Sequence, residues 1–285
     1  MQRRRLGRTG HESSVAILGA AAFWETTEDV VAGAFARAVA AGVNHLDIAP
    51  QYGMAEDLAG RVLPEYRDRL FVGCKTMQRG ASAARAELER SLTKLRTDRL
   101  DLYQLHAVTT DEELAAALAP GGAAQALVQA RDEGLVGAIG ITGHFEYAPR
   151  LFRQALREVD LDTVMLPVNP TMLALPAYRA DFEALLAVAA ERDLGVMAIK
   201  AVARGPWGGR DHTATTWYEP YQDPDRIREA VRFTLSLPVT GFATPGDVRL
   251  LPAALAAAAA FTPLSAEEIE ARIAAADPAD ALVAG

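Results

Sequence analysis

The stretch AGVNHLDIAPQYG, residues 41–53, decides the fold. An alanine-rich, helix-like run ends at Gly42, where glycine closes a helix and lets the chain reverse. A short apolar segment then reaches Asp47, and the polar loop IAPQYG leaves it. One joint therefore shows a helix returning to a strand, with a carboxylate at that strand's C-terminal end.

The same rhythm recurs outward in both directions. Short β-rich segments stand at VAILGA (15–20), GVNHLD (42–47), RLFVGCK (69–75), RLDLYQLH (99–106), VGAIGIT (136–142), DTVMLPVN (162–169), LGVMAIK (194–200) and LPVTGFA (237–243). Helix-like stretches separate them. ASAARAELERSLTKLRT (81–97), for example, carries leucines at 88, 92 and 95 opposite a charged face, the spacing of an amphipathic helix. Strands alternating with helices imply a parallel sheet, and eight such units in a chain of 285 residues predict closure into a (β/α)8 TIM barrel, one domain over 1–285. An open doubly wound sheet is the alternative. ERDLGVMAIK (191–200) repeats the first joint, with Gly195 as the expected helix cap. RRRLGRTGHESSV (3–15) reads as a β-hairpin around Arg8 to Gly10, placed to plug the barrel bottom. Near the other end, SAEEIEARIAAA from Ser265 reads as a closing helix with a Ser265–Glu268 capping box.

Composition narrows the function classes. Half of the residues are hydrophobic and 23% are charged, an ordinary globular balance. A net charge of -8 disfavours nucleic acid and anionic lipid as partners, and no apolar run is long enough to cross a bilayer. The single cysteine, Cys74, cannot form an internal disulfide, so a cytoplasmic location is expected.

In a barrel of this kind the site forms at the C-terminal strand ends. Asp47 ends the second strand, Tyr52 follows in its loop, Lys75 ends the third strand and His106 the fourth. A tyrosine donates protons poorly near neutral pH, but an adjacent ammonium favours its phenolate, so Lys75 is expected to lower the Tyr52 pKa. Asp47 would keep that buried lysine charged, and His106 could hydrogen-bond a substrate carbonyl oxygen. No side chain donates hydride, so the set implies a nicotinamide cofactor, with Tyr52 completing carbonyl reduction by proton transfer.

At these residues the sequence resembles the aldo-keto reductases. GVNHLDIAPQYG is similar to that family's Asp and Tyr signature, while FVGCKT and DLYQLH match its Lys and His segments. RRRLGRTGHESSVAILG, LVQARDEGLVGAIGIT and LSLPVTGFATPGD extend the resemblance over nearly the whole chain. It implies catalysis by Asp47, Tyr52, Lys75 and His106, and a cofactor held without a Rossmann fold. The cofactor segments depart from the family pattern: Thr142, Gly143 and His144 replace a Ser-Asn pair, Pro167, Val168 and Asn169 lie where a glutamine is common, and Ile199 and Lys200 lie where an aromatic stacks. Cofactor contacts are accordingly expected from Thr142, His144, Asn169 and Lys200. Arg204 and Gly205 would serve the phosphates. Thr244, Gly246 and Arg249 would serve the adenosine end, with Gly246 opening a helix and Arg249 facing a 2′-phosphate. NADPH is the expected cofactor and NADH the alternative.

The long segment GPWGGRDHTATTWYEPYQD (205–223) has the glycine, aromatic and polar content of a site loop. Trp24, in an earlier top loop, and Trp217 and Tyr218, in this one, are the candidate pocket aromatics. Other readings stay open: a Schiff-base aldolase using Lys75, a metal hydrolase using His45, Asp47 and His106, or a non-catalytic NADPH-binding regulator of the same fold. No metal is expected, His45 is read as packing, and Cys74 as a small buried hydrophobe. The expected partner is a small carbonyl compound.

Overall fold

The computed structural model describes residues 1–284; the last residue of the expected domain, Gly285, lies outside the described residues. All eight expected strands form. They are β3 (Ala16–Gly19), β4 (His45–Asp47), β5 (Phe71–Thr76), β6 (Leu100–Leu105), β7 (Val136–Thr142), β8 (Thr163–Pro167), β9 (Gly195–Ile199) and β12 (Gly241–Ala243). They pair in parallel and close into a barrel, with β12 joined to both β3 and β9. The open-sheet alternative is thereby excluded.

Period-two alternation along each strand sorts the side chains into two cores. Ile17, Leu102, Ala138, Met165 and Met197 point inward and pack together, with Phe71 and Ile199 against them. Their neighbours Leu18, Leu46, Val72, Tyr103, Ile139, Val164 and Phe242 point outward to the helical shell. The inward parity carries forward: Asp47 and Lys75 stand two residues above His45 and Gly73, so both enter the barrel axis near its C-terminal end.

The barrel bottom is closed by the expected hairpin, β1 (Arg3–Arg5) against β2 (Glu12–Ser14). Leu6 follows β1 and inserts into the inner cluster with no exposed surface. His45 belongs to this floor. Its Nδ1 lies 2.9 Å from Ser13 Oγ, and its ring meets Phe71 edge-on.

Gly42 takes φ +90 beyond helix Glu28–Ala40, as expected of a reversing joint. The second such joint differs. Helix Pro176–Arg192 ends with Asp193, not Gly195, in the left-handed region at φ 53, a conformation Asp tolerates better than most side chains. Gly195 instead starts β9, where a Cβ would lie 2.6 Å from Leu6 Cδ1; its smallness admits the floor residue. The capping box at Ser265 forms over helix Ala266–Ala274. Between β9 and β12, β10 (Ala203–Gly205) pairs with β11 (Glu219–Pro220) and carries the intervening segment as an arch.

Leu6 is the hairpin's contribution to the inner core, so Leu6→Ala is expected to cost about 2–5 kcal/mol in denaturant unfolding, the usual price of a vacated leucine site. A loss below about 0.5 kcal/mol would show that the hairpin does not seal the barrel.

Candidate active site

Three strand ends deliver the expected cluster. Asp47 closes β4, Lys75 stands in β5 and His106 directly follows β6, while Tyr52 comes from the loop after β4. The Lys75 ammonium donates to Asp47 Oδ2 at 2.7 Å, to the Ile48 carbonyl at 3.1 Å and to Tyr52 Oη at 3.4 Å. Its three N–H bonds are all engaged. The Tyr52 ring stands 5.8 Å from the His106 ring and perpendicular to it.

Electrostatics assigns protonation. Burial is the largest single influence on Lys75 and would lower its pKa, but the charge of Asp47, its hydrogen bond and the neighbouring Tyr52 together outweigh it and hold the lysine protonated. Burial pushes the Asp47 carboxyl up, and Lys75 opposes that shift. For Tyr52 the expected lowering does not occur. Desolvation raises its pKa, Lys75 only partly offsets this, and the Asp47 charge acts in the same direction as burial. Tyr52 is therefore a protonated phenol at neutral pH, a donor rather than a phenolate. His106 is neutral because burial, then the charges of Lys75 and Arg79, hold its pKa well below the usual imidazole value. A protonated Lys75 has no lone pair for an imine, which removes the support for an aldolase at that residue.

Sequence reasoning missed the residues behind His106. Its Nδ1 lies 3.2 Å from Gln51 Oε1, while Gln51 Nε2 donates to Glu87 Oε1 at 3.4 Å. Glu87 also accepts from Thr76 Oγ1 at 2.7 Å. With the amide so oriented, the ring proton belongs on Nδ1 and Nε2 is an acceptor. Polarising a carbonyl oxygen needs a donor, so the Gln51 amide must turn over before His106 can serve that role. Gln51 was visible in the quoted loop beside Tyr52; Glu87, a buried acid on the outer helix Ala81–Leu95, had no distinguishing signal.

The expected cofactor residues divide into two groups. Near the Asp47, Tyr52, Lys75 and His106 cluster, the His144 ring lies 5.6 Å from His106, and its Nδ1 lies 2.9 Å from Lys200 Nζ. Thr142 Oγ1 accepts from the Ala107 N–H. Asn169 is buried and committed to the fold: its oxygen accepts from Met172 N and Thr171 Oγ1, and its Nδ2 donates to the Lys200 carbonyl. The second group lies along the arch. Arg204 pairs with Glu219 at 2.7 Å. At Gly205, a Cβ would sit 3.1 Å from the Asp280 carbonyl, so the C-terminal segment occupies the close approach expected of a phosphate.

Beyond β12, Thr244 Oγ1 accepts from Gly19 N. The helical turn there opens at Asp247 rather than Gly246, and the Asp247 carboxylate itself caps it. Thr215 in the arch donates to both Gly246 O and Asp247. Arg249 donates to Asp247 Oδ1 at 2.9 Å and to Oδ2 at 2.5 Å, with the side chain 63% exposed. Among the pocket aromatics, Trp217 extends from the arch to within 6.4 Å of His144. Tyr218 is buried behind it, and Trp24 is half exposed beside the Tyr52 loop, its carbonyl accepting from Met54 N. Cys74 is buried on the outward face of β5 with its thiol pKa raised, chiefly by burial. Among the described residues no group of three or more His, Cys, Asp or Glu side chains is disposed to hold a metal ion, and no helix is long and apolar enough to cross a membrane.

The model of the Aldo/keto reductase family matches residues 16–271. The chain belongs to that family. Its barrel resembles the holo form of aldo-keto reductase AKR11C1 from Bacillus halodurans, with a TM-score of 0.75 and 20% identity over 98% of this chain and 97% of that one. An aldo-keto reductase from Klebsiella pneumoniae in complex with NADPH matches with a TM-score of 0.70 and 20% identity, over 95% and 93% of the two chains. At these identities the likeness is one of fold. The D-threo-aldose 1-dehydrogenase of a Pseudomonas species is 33% identical over 143 residues, 50% of this chain and 40% of that enzyme. The chain spans 66%, 40% and 40% of the lengths of three curated relatives.

Two buried lysines thus differ in their surroundings, and stability should separate them. Lys75→Met strands the Asp47 charge and is expected to cost about 3–5 kcal/mol. Among the described residues Lys200 has no carboxylate partner, so Lys200→Met, which removes an uncompensated buried amine, is expected to raise the thermal midpoint. Equal losses in both variants would contradict the assigned electrostatics.

Proposed function

We propose that this chain, acting as one unit over residues 1–285, is an NAD(P)H-dependent carbonyl reductase that converts a small aldehyde or ketone to an alcohol. The observation carrying this reading is Tyr52, a protonated phenol within 3.4 Å of a charged, fully engaged lysine. A developing alkoxide needs a nearby proton, and the Lys75 ammonium stabilises the phenolate left behind. Asp47 keeps that ammonium charged throughout, and His106 orients the carbonyl once its Nε2 carries the proton.

Nothing in the cluster can deliver hydride, and its donor set fits a nicotinamide as the missing partner. Bound there, that group would supply the hydride. Thr142, His144 and Lys200 would hold its reactive end, with Asn169 fixing the Lys200 backbone. Arg204, Thr244, Gly246 and Arg249 would hold the remainder beneath the arch, where the two arginines, each over half exposed, can exchange an acidic partner for a phosphate, while Gly205, approached by Asp280, is left out. Trp24, Trp217 and Tyr218 would shape the substrate side. Membership of the family, and the NADPH bound by the Klebsiella protein of the same fold, support the cofactor class. A cytoplasmic protein with no nucleic-acid or membrane partner fits this role.

Tyr52→Phe removes the donor while keeping the ring, so kcat should fall about 100-fold or more while NADPH affinity and the thermal midpoint stay close to wild type. Retained turnover would refute the mechanism. A cofactor titration tests the other end. NADPH is expected to bind more tightly than NADH by no more than about tenfold, because a 2′-phosphate must draw Arg249 away from Asp247, whose side chain is only 2% exposed, and the cost of leaving that carboxylate without the arginine offsets most of the new contact. Arg249→Ala should abolish the difference; an unchanged preference would remove Arg249 from the cofactor site.

A further inference from the structure

The chain has only three lysines among its 29 lysine and arginine residues. Arginine supplies nearly every cation, including those on the surface. Lys94 is exposed on Asp57, and Lys75 is the charged partner of Asp47. The third, Lys200, is 5% exposed and stands in the same mouth as Lys75. A position needing only positive charge is served by arginine, which stays protonated in proteins, whereas lysine can lose its proton and become a nucleophile.

Among the described residues, the surroundings of Lys200 offer two hydrogen-bond acceptors and an indole face but no counter-charge, so burial rather than pairing decides its protonation. Its Nζ lies 2.9 Å from His144 Nδ1, 3.1 Å from the His144 carbonyl and 4.7 Å from the Trp217 ring centroid. Among the described residues it has no ion pair with any carboxylate. The titratable side chains facing it across the mouth are His144 and, behind it, His106, both held neutral chiefly by burial. The other charges acting on these two histidines are those of Lys75 and Arg79, which are also positive. Burial accordingly holds the Lys200 amine well below the ordinary lysine range. Its backbone is fixed at φ 60, a costly conformation for a residue with a side chain, and Asn169 clamps its carbonyl. The fold holds this amine at the mouth under strain.

We propose that Lys200 is a nucleophilic amine that captures small aldehydes reversibly as an imine, a covalent carbonyl site separate from the Tyr52 proton donor. The Nζ lone pair attacks the aldehyde carbon and forms a C–N bond as the C=O π electrons move to oxygen. A proton passes from nitrogen to that oxygen through His144 Nδ1, giving a carbinolamine. Loss of its hydroxyl with one further proton, as water, leaves the C=N bond, and addition of water reverses every step. Nothing is oxidised or reduced. Phe145 lies 5.9 Å from Trp217 and extends an apolar wall beside the amine, favouring aldehydes with an aliphatic or aromatic tail.

The capture needs no nicotinamide and does not rest on the reductase reading, so it is tested without cofactor. The full chain is incubated with propanal and sodium cyanoborohydride, with free Nα-acetyl-lysine as an internal standard, and the modified residues are located by peptide mass spectrometry. One propyl group on Lys200 is expected, formed at about pH 7 at least about tenfold faster than on the standard. Between about pH 9 and about pH 7 the standard should slow by about a hundredfold, as an amine titrating in the ordinary lysine range does, while the Lys200 rate changes far less. Lys200→Met should lose this modification and leave labelling of the N-terminus unchanged. Labelling confined to Lys94 and the N-terminus, or a Lys200 rate that tracks the standard with pH, would overturn the proposal, whether or not the protein reduces carbonyls.

Discussion

The Lys75 ammonium is the constraint around which the barrel mouth is arranged. It is almost wholly removed from solvent, and a bare charge so placed would be lost to deprotonation. Asp47 at 2.7 Å prevents that, and the remaining N–H bonds tie together the strand end at Ile48 and the phenol of Tyr52. The pair is costly to build and more costly to break. A barrel core of equal stability could be made from apolar side chains alone, so retaining an ion pair there is best understood through the proton it governs. Asp47 Oδ1 remains buried without a partner, a further cost accepted at this site.

A second lysine in the same mouth lies under the opposite constraint. Lys75 and Lys200 are both buried, yet one is given a carboxylate and the other an imidazole, a carbonyl and an indole face. The difference divides the mouth into a charged side, where Lys75 and Asp47 flank the proposed proton donor Tyr52, and an uncharged side formed by His144, Lys200 and Trp217. Its floor is fixed by packing, since Ile17, Leu102, Met165 and Met197 fill the axis below. The Asp47–Lys75 pair and Tyr52 therefore meet at the top, above the His45–Ser13 contact in the floor.

Much of this was legible in the sequence because it depends on local periodicity. Eight strand patterns and their helical returns are short-range signals, and Asp47, Tyr52, Lys75 and His106 follow from knowing which strand ends share a rim. What stayed hidden depends on balances between distant groups. Whether Tyr52 titrates up or down is a contest between burial and the opposing charges of Lys75 and Asp47, none of which has a sequence period. Glu87 looked like one more acid on an amphipathic helix, and its place behind Gln51 exists only after the helix has docked. Gly205 invited a phosphate reading because glycine permits close approach, and Gly246 because it was read as opening a helix, but Asp280 arrives from the C-terminal segment beside Gly205 and Asp247, the next residue, caps the turn after Gly246 itself. Asp193 held the left-handed turn that Gly195 was expected to make, since the glycine was needed as space for Leu6.

The central claim is that Tyr52, protonated and raised by burial, is the proton donor while His106 stays neutral. The pH profile of kcat for carbonyl reduction tests it directly, with hydride transfer made rate-limiting by a slow substrate. Activity that depends on a protonated phenol should be level through neutrality and fall only as the pH rises past about 10, the ordinary tyrosine value or above. A fall in kcat as the pH rises through about 6.5 would instead mark an imidazolium donor, and would contradict the account.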